Sequence, residues 1–329
     1  MNDRRPCIVI AEPNGYPEGA LANLRAVCDI TLGPFTRDQF GQELQACEAA
    51  VIRFAHRVDA DLLGDTRTLR VISCAATGSD HIDLQACSER DISVQTLKGE
   101  TAFLRTVTAT AELTWWHILE GMRRASLSAR HVFGGGWNRD VFVGSQLFGK
   151  TLGIVGLGRL GIMVADIGAA FGMKVIASDP DPAITPDHVE MVSTEALFSR
   201  ADVVTLHADL NPTSKGMVNA NLLSRLKAGS ILVNTARGDL VREDDLIAAL
   251  DAGQLAAVGL DVLATEGEKP QGWPRSNLIW QRMQTDDRIR ITPHIGGATV
   301  ESMGAAETFM AGKLLQTLGL TLDRAKVSR

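Results

Sequence analysis

Short runs rich in Val, Ile and Ala alternate along this chain with longer stretches of helical period, the pattern of parallel sheets covered by helices. In the first third the strand-like runs are 7–11, 49–53, 69–75 and 92–96, with helical stretches such as 38–48 and 84–90 between them. These predict one compact α/β unit. From 108 to 124 the period becomes that of one long helix carrying Leu113, Trp116, Ile118 and Leu119, and a glycine-rich break follows at Gly134, Gly135 and Gly136. A second series then offers six strand candidates, 152–155, 174–178, 203–207, 231–234, 257–262 and 289–292, as a doubly wound nucleotide-binding sheet requires. Gly172 and Gly253 are placed to end helices, and Asp244 and Asp245 suit a helix's first turn. A last helical run, 299–318, has no place in a sheet complete by residue 292, so it is expected to return to the first unit, the chain crossing between domains twice.

Composition narrows the partners. Lys and Arg total 33 against 39 Asp and Glu, a net charge of −6 that argues against general affinity for nucleic acid or anionic membranes. An anionic ligand must therefore be held by local cations or amides. With 329 residues, 45% of them hydrophobic, the chain can bury two cores, which excludes a small disulfide scaffold and a disordered tail. No apolar stretch reaches the roughly 18 residues of a membrane span. The cysteines, Cys7, Cys28, Cys47, Cys74 and Cys87, are odd in number and form no C-x-x-C pair, so they are expected to be reduced thiols in a cytoplasmic protein. His81, His117 and His131 lack metal-ligand spacing, and no metal is expected.

The clearest motif is Gly156-Leu157-Gly158-Arg159-Leu160-Gly161, after a strand and opening an apolar helical run. Its glycines permit a tight turn, close approach of backbone to a pyrophosphate, and close helix–strand contact. Asp179 ends the next strand, 18 positions beyond Gly161, where a carboxylate accepts from ribose hydroxyls and repels a 2′-phosphate. The expected cofactor is NAD, with NADP less favoured. Three later segments read as loops at strand ends: Asn234-Thr235-Ala236-Arg237-Gly238, Gly259-Leu260-Asp261-Val262 with Glu266, and Thr292-Pro293-His294-Ile295-Gly296-Gly297. Reducing a 2-oxo acid needs a cation for the carboxylate, a proton donor for the carbonyl oxygen, and a partner keeping that donor charged. Arg237, His294 and Glu266 supply those types, and Glu266 paired with His294 would raise the histidine's pKa. His207 is expected to end a strand beside the cofactor.

Together TGSDHID (77–83), GKTLGIVGLGRLG (149–161), NTARG (234–238), GLDV (259–262) and TPHIGG (292–297) resemble the D-isomer-specific 2-hydroxyacid dehydrogenase family over nearly the whole chain. The resemblance implies a Rossmann domain, 106–296, inserted into a flavodoxin-like substrate domain, 1–105 with 297–329. It implies catalysis by Arg237, Glu266 and His294, cofactor contacts at Gly156, Gly158, Arg159, Leu160, Gly161, Asp179, His207, Thr235, Ala236, Asp261 and Gly296, with Asp261 holding the nicotinamide carboxamide, and backbone contacts of Gly78 and Ser79 to the substrate carboxylate. Members commonly form homodimers through the helix near 108–124. Arg53 matches an arginine that phosphoglycerate dehydrogenases use for the substrate's acidic tail, but their second arginine is Cys74 here. The usual Pro after the catalytic Glu is Gly267, and the stretch to His294 is long and carries Trp273 and Trp280, as a lid over the substrate or a surface insertion. The alternative function is an NAD-sensing dimer resembling the C-terminal-binding corepressors; formate oxidation fits less well, because that branch resembles a Gln–His pairing.

Overall fold

A computed structural model describes residues 4–268 and 271–321. It divides into two units, one from residues 1–107 and 299–329 and one from 108–298. In the first unit β1 (Cys7–Ile10), β2 (Asp29–Leu32), β3 (Ala49–Ile52), β4 (Val71–Cys74) and β5 (Ser93–Gln95) form a parallel sheet in the order β2-β1-β3-β4-β5. The central strands β3 and β4 are buried at every residue, as strands covered on both faces should be. Strand β2 was not among the sequence expectations. It is an edge strand paired only to β1, with Asp29 exposed and the rest half-buried, so neither alternation nor a continuous apolar run marks it.

The helix Arg37–Ala46 starts at a capping box, in which Thr36 accepts from the Gln39 backbone and Gln39 accepts from the Thr36 backbone. At the far end of the chain Thr299 caps the helix Val300–Thr317. That helix places Ala311, Leu314 and Leu315 in one core with Ile8, Ile10 and Leu24 of the first unit. One expectation is corrected: Cys7 and Cys47 are joined in a disulfide, with Cα atoms 4.7 Å apart, while Cys28, Cys74 and Cys87 are free and buried. Cys7 opens β1 and Cys47 ends the helix that precedes β3, and since β3 pairs with β1 the two thiols meet across neighbouring strands. An odd count never excluded one such pair.

The second unit holds β6 (Thr151–Val155), β7 (Lys174–Ser178), β8 (Val189–Met191), β9 (Val203–Leu206), β10 (Ser230–Asn234), β11 (Leu255–Leu260) and β12 (Ile289–Ile291), all parallel, in the order β12-β11-β10-β9-β6-β7-β8. The sheet has seven strands where six were expected. The extra one, β8, has three residues of which only Val189 is buried, too little pattern to signal a strand. One face packs on Trp115, Ile118 and Val164, the other on Phe198, Leu222 and Leu246. The strand order reverses between β6 and β9, so their loops open a crevice at the carboxyl ends of the strands.

The long helix ends at Arg123, and after Arg124, at φ 51°, a second helix runs from Ala125 to Phe133 with no buried residue. Part of the segment before β12 is packed on the second unit: Asn277 and Ile279 are buried, and Trp273 and Trp280 rest on its core. Among the described residues no helix is long and apolar enough to cross a membrane. Because Leu314 is fully buried against the first sheet, Leu314→Ala is expected to cost about 2–5 kcal/mol, read as a lower midpoint in urea denaturation.

Candidate active site

The glycine-rich loop is shaped by what glycine alone permits. Gly156 has φ +92°, and a Cβ there would lie 2.6 Å from the Ala208 backbone nitrogen, so its absence lets the loops after β6 and β9 close on each other. A Cβ at Gly161 would meet the Gly156 carbonyl oxygen at 2.2 Å, whereas one at Gly158 would meet nothing within 4 Å. Gly158 starts the helix Arg159–Ala170, and no side chain caps it, leaving first-turn N–H groups for an anion. Asp179, after β7, accepts from Leu157 N at 2.7 Å and from Asp181 N at 2.9 Å, which ties its carboxylate to this loop. Arg159 and Leu160 are half-buried in the first turn, and burial lowers the Arg159 pKa. An open backbone cradle, a free helix N-terminus and an anchored acid together fit a dinucleotide.

His207 follows β9, its backbone N–H donating to the Val155 carbonyl at 2.7 Å and its Nε2 lying 2.9 Å from Thr205 Oγ1. Burial pushes its pKa down to about 4, so the ring beside Thr205 is neutral. After β10, Thr235 is buried with its hydroxyl 2.7 Å from that of Thr114, and Ala236 N donates to Asn234 Oδ1 at 3.0 Å. Asn234 also donates to the Arg237 carbonyl at 2.8 Å, so one side chain folds the turn that presents Arg237. Gly238 is required next: a Cβ there would fall 2.0 Å from the Leu263 carbonyl carbon, so this turn lies directly against the loop leading to Glu266.

That second loop is pinned from below. Glu243 accepts from Ala264 N at 2.9 Å and from Asn277 Nδ2 at 2.7 Å, and Asp239 accepts from Thr265 N, which bears a positive φ of 61°. Glu266 then meets His294, Nδ1 to Oε1 2.6 Å, both side chains about a quarter exposed (29% and 24%). A carboxylate only accepts, so Nδ1 carries the proton and Nε2 faces away from Glu266. His294 itself has φ +53°, and its N–H donates to the carbonyls of Asp261 and Thr292, both at 2.9 Å. Asp261, 1% exposed, gathers the same loop: Oδ1 accepts from Thr292 Oγ1 at 2.5 Å and Ile295 N at 2.8 Å, and Oδ2 from Gly296 N at 2.7 Å. Burial pushes its pKa up, opposed by those three donors.

The remaining candidates lie in the first unit. Arg53 follows β3, and Gly78 and Ser79 follow the neighbouring β4, so all three occupy one end of that sheet. Arg53 donates to Glu307, 3% exposed, and to the Asn14 carbonyl at 2.8 Å, while Glu12 takes the Arg53 and Ala55 amides. Its charge is thus matched within its own unit. Sequence reasoning missed Glu243 and Thr292, whose roles are to hold loops; both read as ordinary polar residues until their partners are known. Gly158→Ala is expected to keep wild-type thermal stability while weakening NADH binding about tenfold or more by fluorescence titration, whereas Gly161→Ala, forced onto Gly156, is expected to lower the melting temperature as well.

Known proteins sharpen this picture. Residues 115–296 match the family described as D-isomer specific 2-hydroxyacid dehydrogenase, NAD binding domain. A hydroxypyruvate reductase of Thermotoga maritima is 31% identical over 292 residues, 89% of this chain and 92% of that protein. The D-3-phosphoglycerate dehydrogenase of Homo sapiens is 34% identical over 270 residues, 81% of this chain but 48% of that one, so the chain spans about half of that relative. The crystal structure of the TT0316 protein of Thermus thermophilus superposes with a TM-score of 0.82 at 32% identity, covering 95% of this chain and 97% of that one. With a dinucleotide cradle and a hydrogen-bonded His294–Glu266 pair on one doubly wound sheet, and a match of this extent, the chain belongs to the D-isomer specific 2-hydroxyacid dehydrogenase family and is an NAD-dependent oxidoreductase.

Proposed function

We propose that the chain reduces a small, unphosphorylated 2-oxo acid to the D-2-hydroxy acid, with Arg237, Glu266 and His294 as catalytic residues. The observation that carries this reading is the 2.6 Å pair of His294 and Glu266 at the carboxyl end of the sheet. Bound NADH supplies the hydride. Glu266 holds the Nδ1 proton, so Nε2 of His294 is the nitrogen that gives a proton to the carbonyl oxygen in reduction and takes it back in oxidation. Arg237, presented next to the Glu266 loop, grips the substrate carboxylate. Asp261 has acceptor capacity left on Oδ2 for the nicotinamide carboxamide. In this reading 106–296 is the NAD-binding domain and 1–105 with 297–329 the substrate domain.

Three observations support the finer choices. Arg53 is matched by buried Glu307, which disfavours its use for a phosphorylated tail, and a relative covered over 92% of its length is named a hydroxypyruvate reductase. Asp179 is tied to the cofactor loop, where a carboxylate repels a 2′-phosphate, which supports NAD over NADP. A homodimer is part of the proposal: Phe133 and Trp137, 95% and 90% exposed on and just beyond a helix that buries nothing in its own chain, suit an interface between two copies. An NAD-sensing corepressor would not need the aligned His294–Glu266 pair.

The test is a panel of glyoxylate, hydroxypyruvate, pyruvate and 3-phosphohydroxypyruvate with NADH and NADPH, followed by nicotinamide absorbance. Turnover is expected with NADH and a short unphosphorylated acid, and absence of turnover with every acid despite measured NADH binding would sink the proposal. His294→Ala is expected to lower kcat by about 10³-fold while shifting the NADH Kd by less than about threefold.

A further inference from the structure

His117 lies in the middle of the helix Ala109–Arg123 and is 1% exposed. Its Nε2 is 3.0 Å from Thr292 Oγ1, and Thr292 Oγ1 is 2.5 Å from Asp261 Oδ1. The direction of this chain is set by chemistry. An ionised Asp261 only accepts, so the Thr292 hydroxyl donates to it, and the hydroxyl oxygen accepts in turn from His117 Nε2–H. Nδ1 is then a bare lone pair, and it is buried with no hydrogen-bond partner. Burial holds the His117 pKa down near about 4, so the ring is neutral around pH 7.

The surroundings are built for this ring. A Cβ on Gly259, in β11, would lie 2.8 Å from both His117 Cβ and Nδ1, so the neighbouring strand is bare where the imidazole rests. Glu120, one turn along the same helix, faces Arg290 of β12 at 3.3 Å and is the nearby charged pair. An apolar side chain would fill the same space without an orphaned nitrogen, which is a cost to stability. What the histidine offers in return is the single donor to Thr292. From there the order is transmitted by direct hydrogen bonds: Thr292 to Asp261, Asp261 to Ile295 N and Gly296 N, and the Asp261 and Thr292 carbonyls to His294 N. His294 is held in a left-handed backbone conformation that a non-glycine residue keeps only when its surroundings enforce it.

We propose that His117 is a positioning residue for the reaction: through Thr292 it fixes Asp261 and with it the Thr292–Gly296 turn that aims His294 at the substrate. This rests on the reading of His294 as the acid/base. His117 is 1% exposed and its side-chain hydrogen bond goes to Thr292, so its action is through Thr292.

The experiment measures kcat, KM, NADH affinity and melting temperature for His117→Leu, His117→Gln, Thr292→Val and the double variant His117→Leu/Thr292→Val, with His294→Ala as control. His117→Leu is expected to lower kcat about tenfold with NADH affinity within about twofold and no loss of melting temperature, a shift in line with the net worth of one hydrogen bond. His117→Gln, whose amide can donate to the same hydroxyl, recovers most of the rate. The double variant loses no more than Thr292→Val alone, because both substitutions break one chain of bonds. Wild-type kcat in His117→Leu, equal losses in the Leu and Gln variants, or losses that multiply in the double variant would each overturn the proposal. An inactive His294→Ala beside an unaffected His117→Leu defeats this inference alone; an active His294→Ala defeats the acid/base reading beneath it.

Discussion

The turn that carries His294 is wound around one buried carboxylate. Asp261 sits at the end of β11 with its two oxygens taken by one hydroxyl and two amides of the turn that follows β12. Burial alone would drive such a group toward its neutral form, and the three donors are what oppose that tendency. Neutralising it would remove the acceptor around which Thr292, Ile295 and Gly296 are wound. His294 would then lose the constraint on its unusual backbone conformation, and with it the alignment to Glu266.

The same economy governs the rest of the second unit. Gly238 lets the Arg237 turn press on the Leu263 carbonyl, and Glu243 holds Ala264 and Asn277 at once, so the connections after β10 and β11 brace each other. The long stretch between Glu266 and His294, ambiguous in sequence, is thereby tied down at Asn277 and Ile279. At the switch point between β6 and β9, Gly156 performs the equivalent task for the cofactor loop. Close backbone approach at a few glycines, more than any single strong bond, shapes the crevice.

Much of this was legible in the sequence where the signal is local. The strands 174–178 and 231–234, the glycine loop before the helix Arg159–Ala170, and the helix ends at Gly172 and Gly253 follow from periodicity and backbone chemistry. The meeting of Glu266 and His294 could be anticipated because strand-end loops of one sheet converge and the residue types complement each other. What stayed hidden is what only tertiary packing decides. The edge strands β2 and β8 carry too few buried residues to announce themselves, and Cys7 meets Cys47 only once β1 and β3 are paired. His117 reads as one more residue of an apolar helix, since its partner Thr292 is 175 positions away.

The central claim is that hydride and proton are delivered to a 2-oxo acid at one site. The most direct measurement uses NADH deuterated at C4 of the nicotinamide with the best substrate of the panel, the product being analysed by chiral chromatography and mass spectrometry. The account predicts one D-2-hydroxy acid per NADH consumed, with deuterium at C2. An L product, a racemate, or NADH loss without labelled hydroxy acid would contradict it.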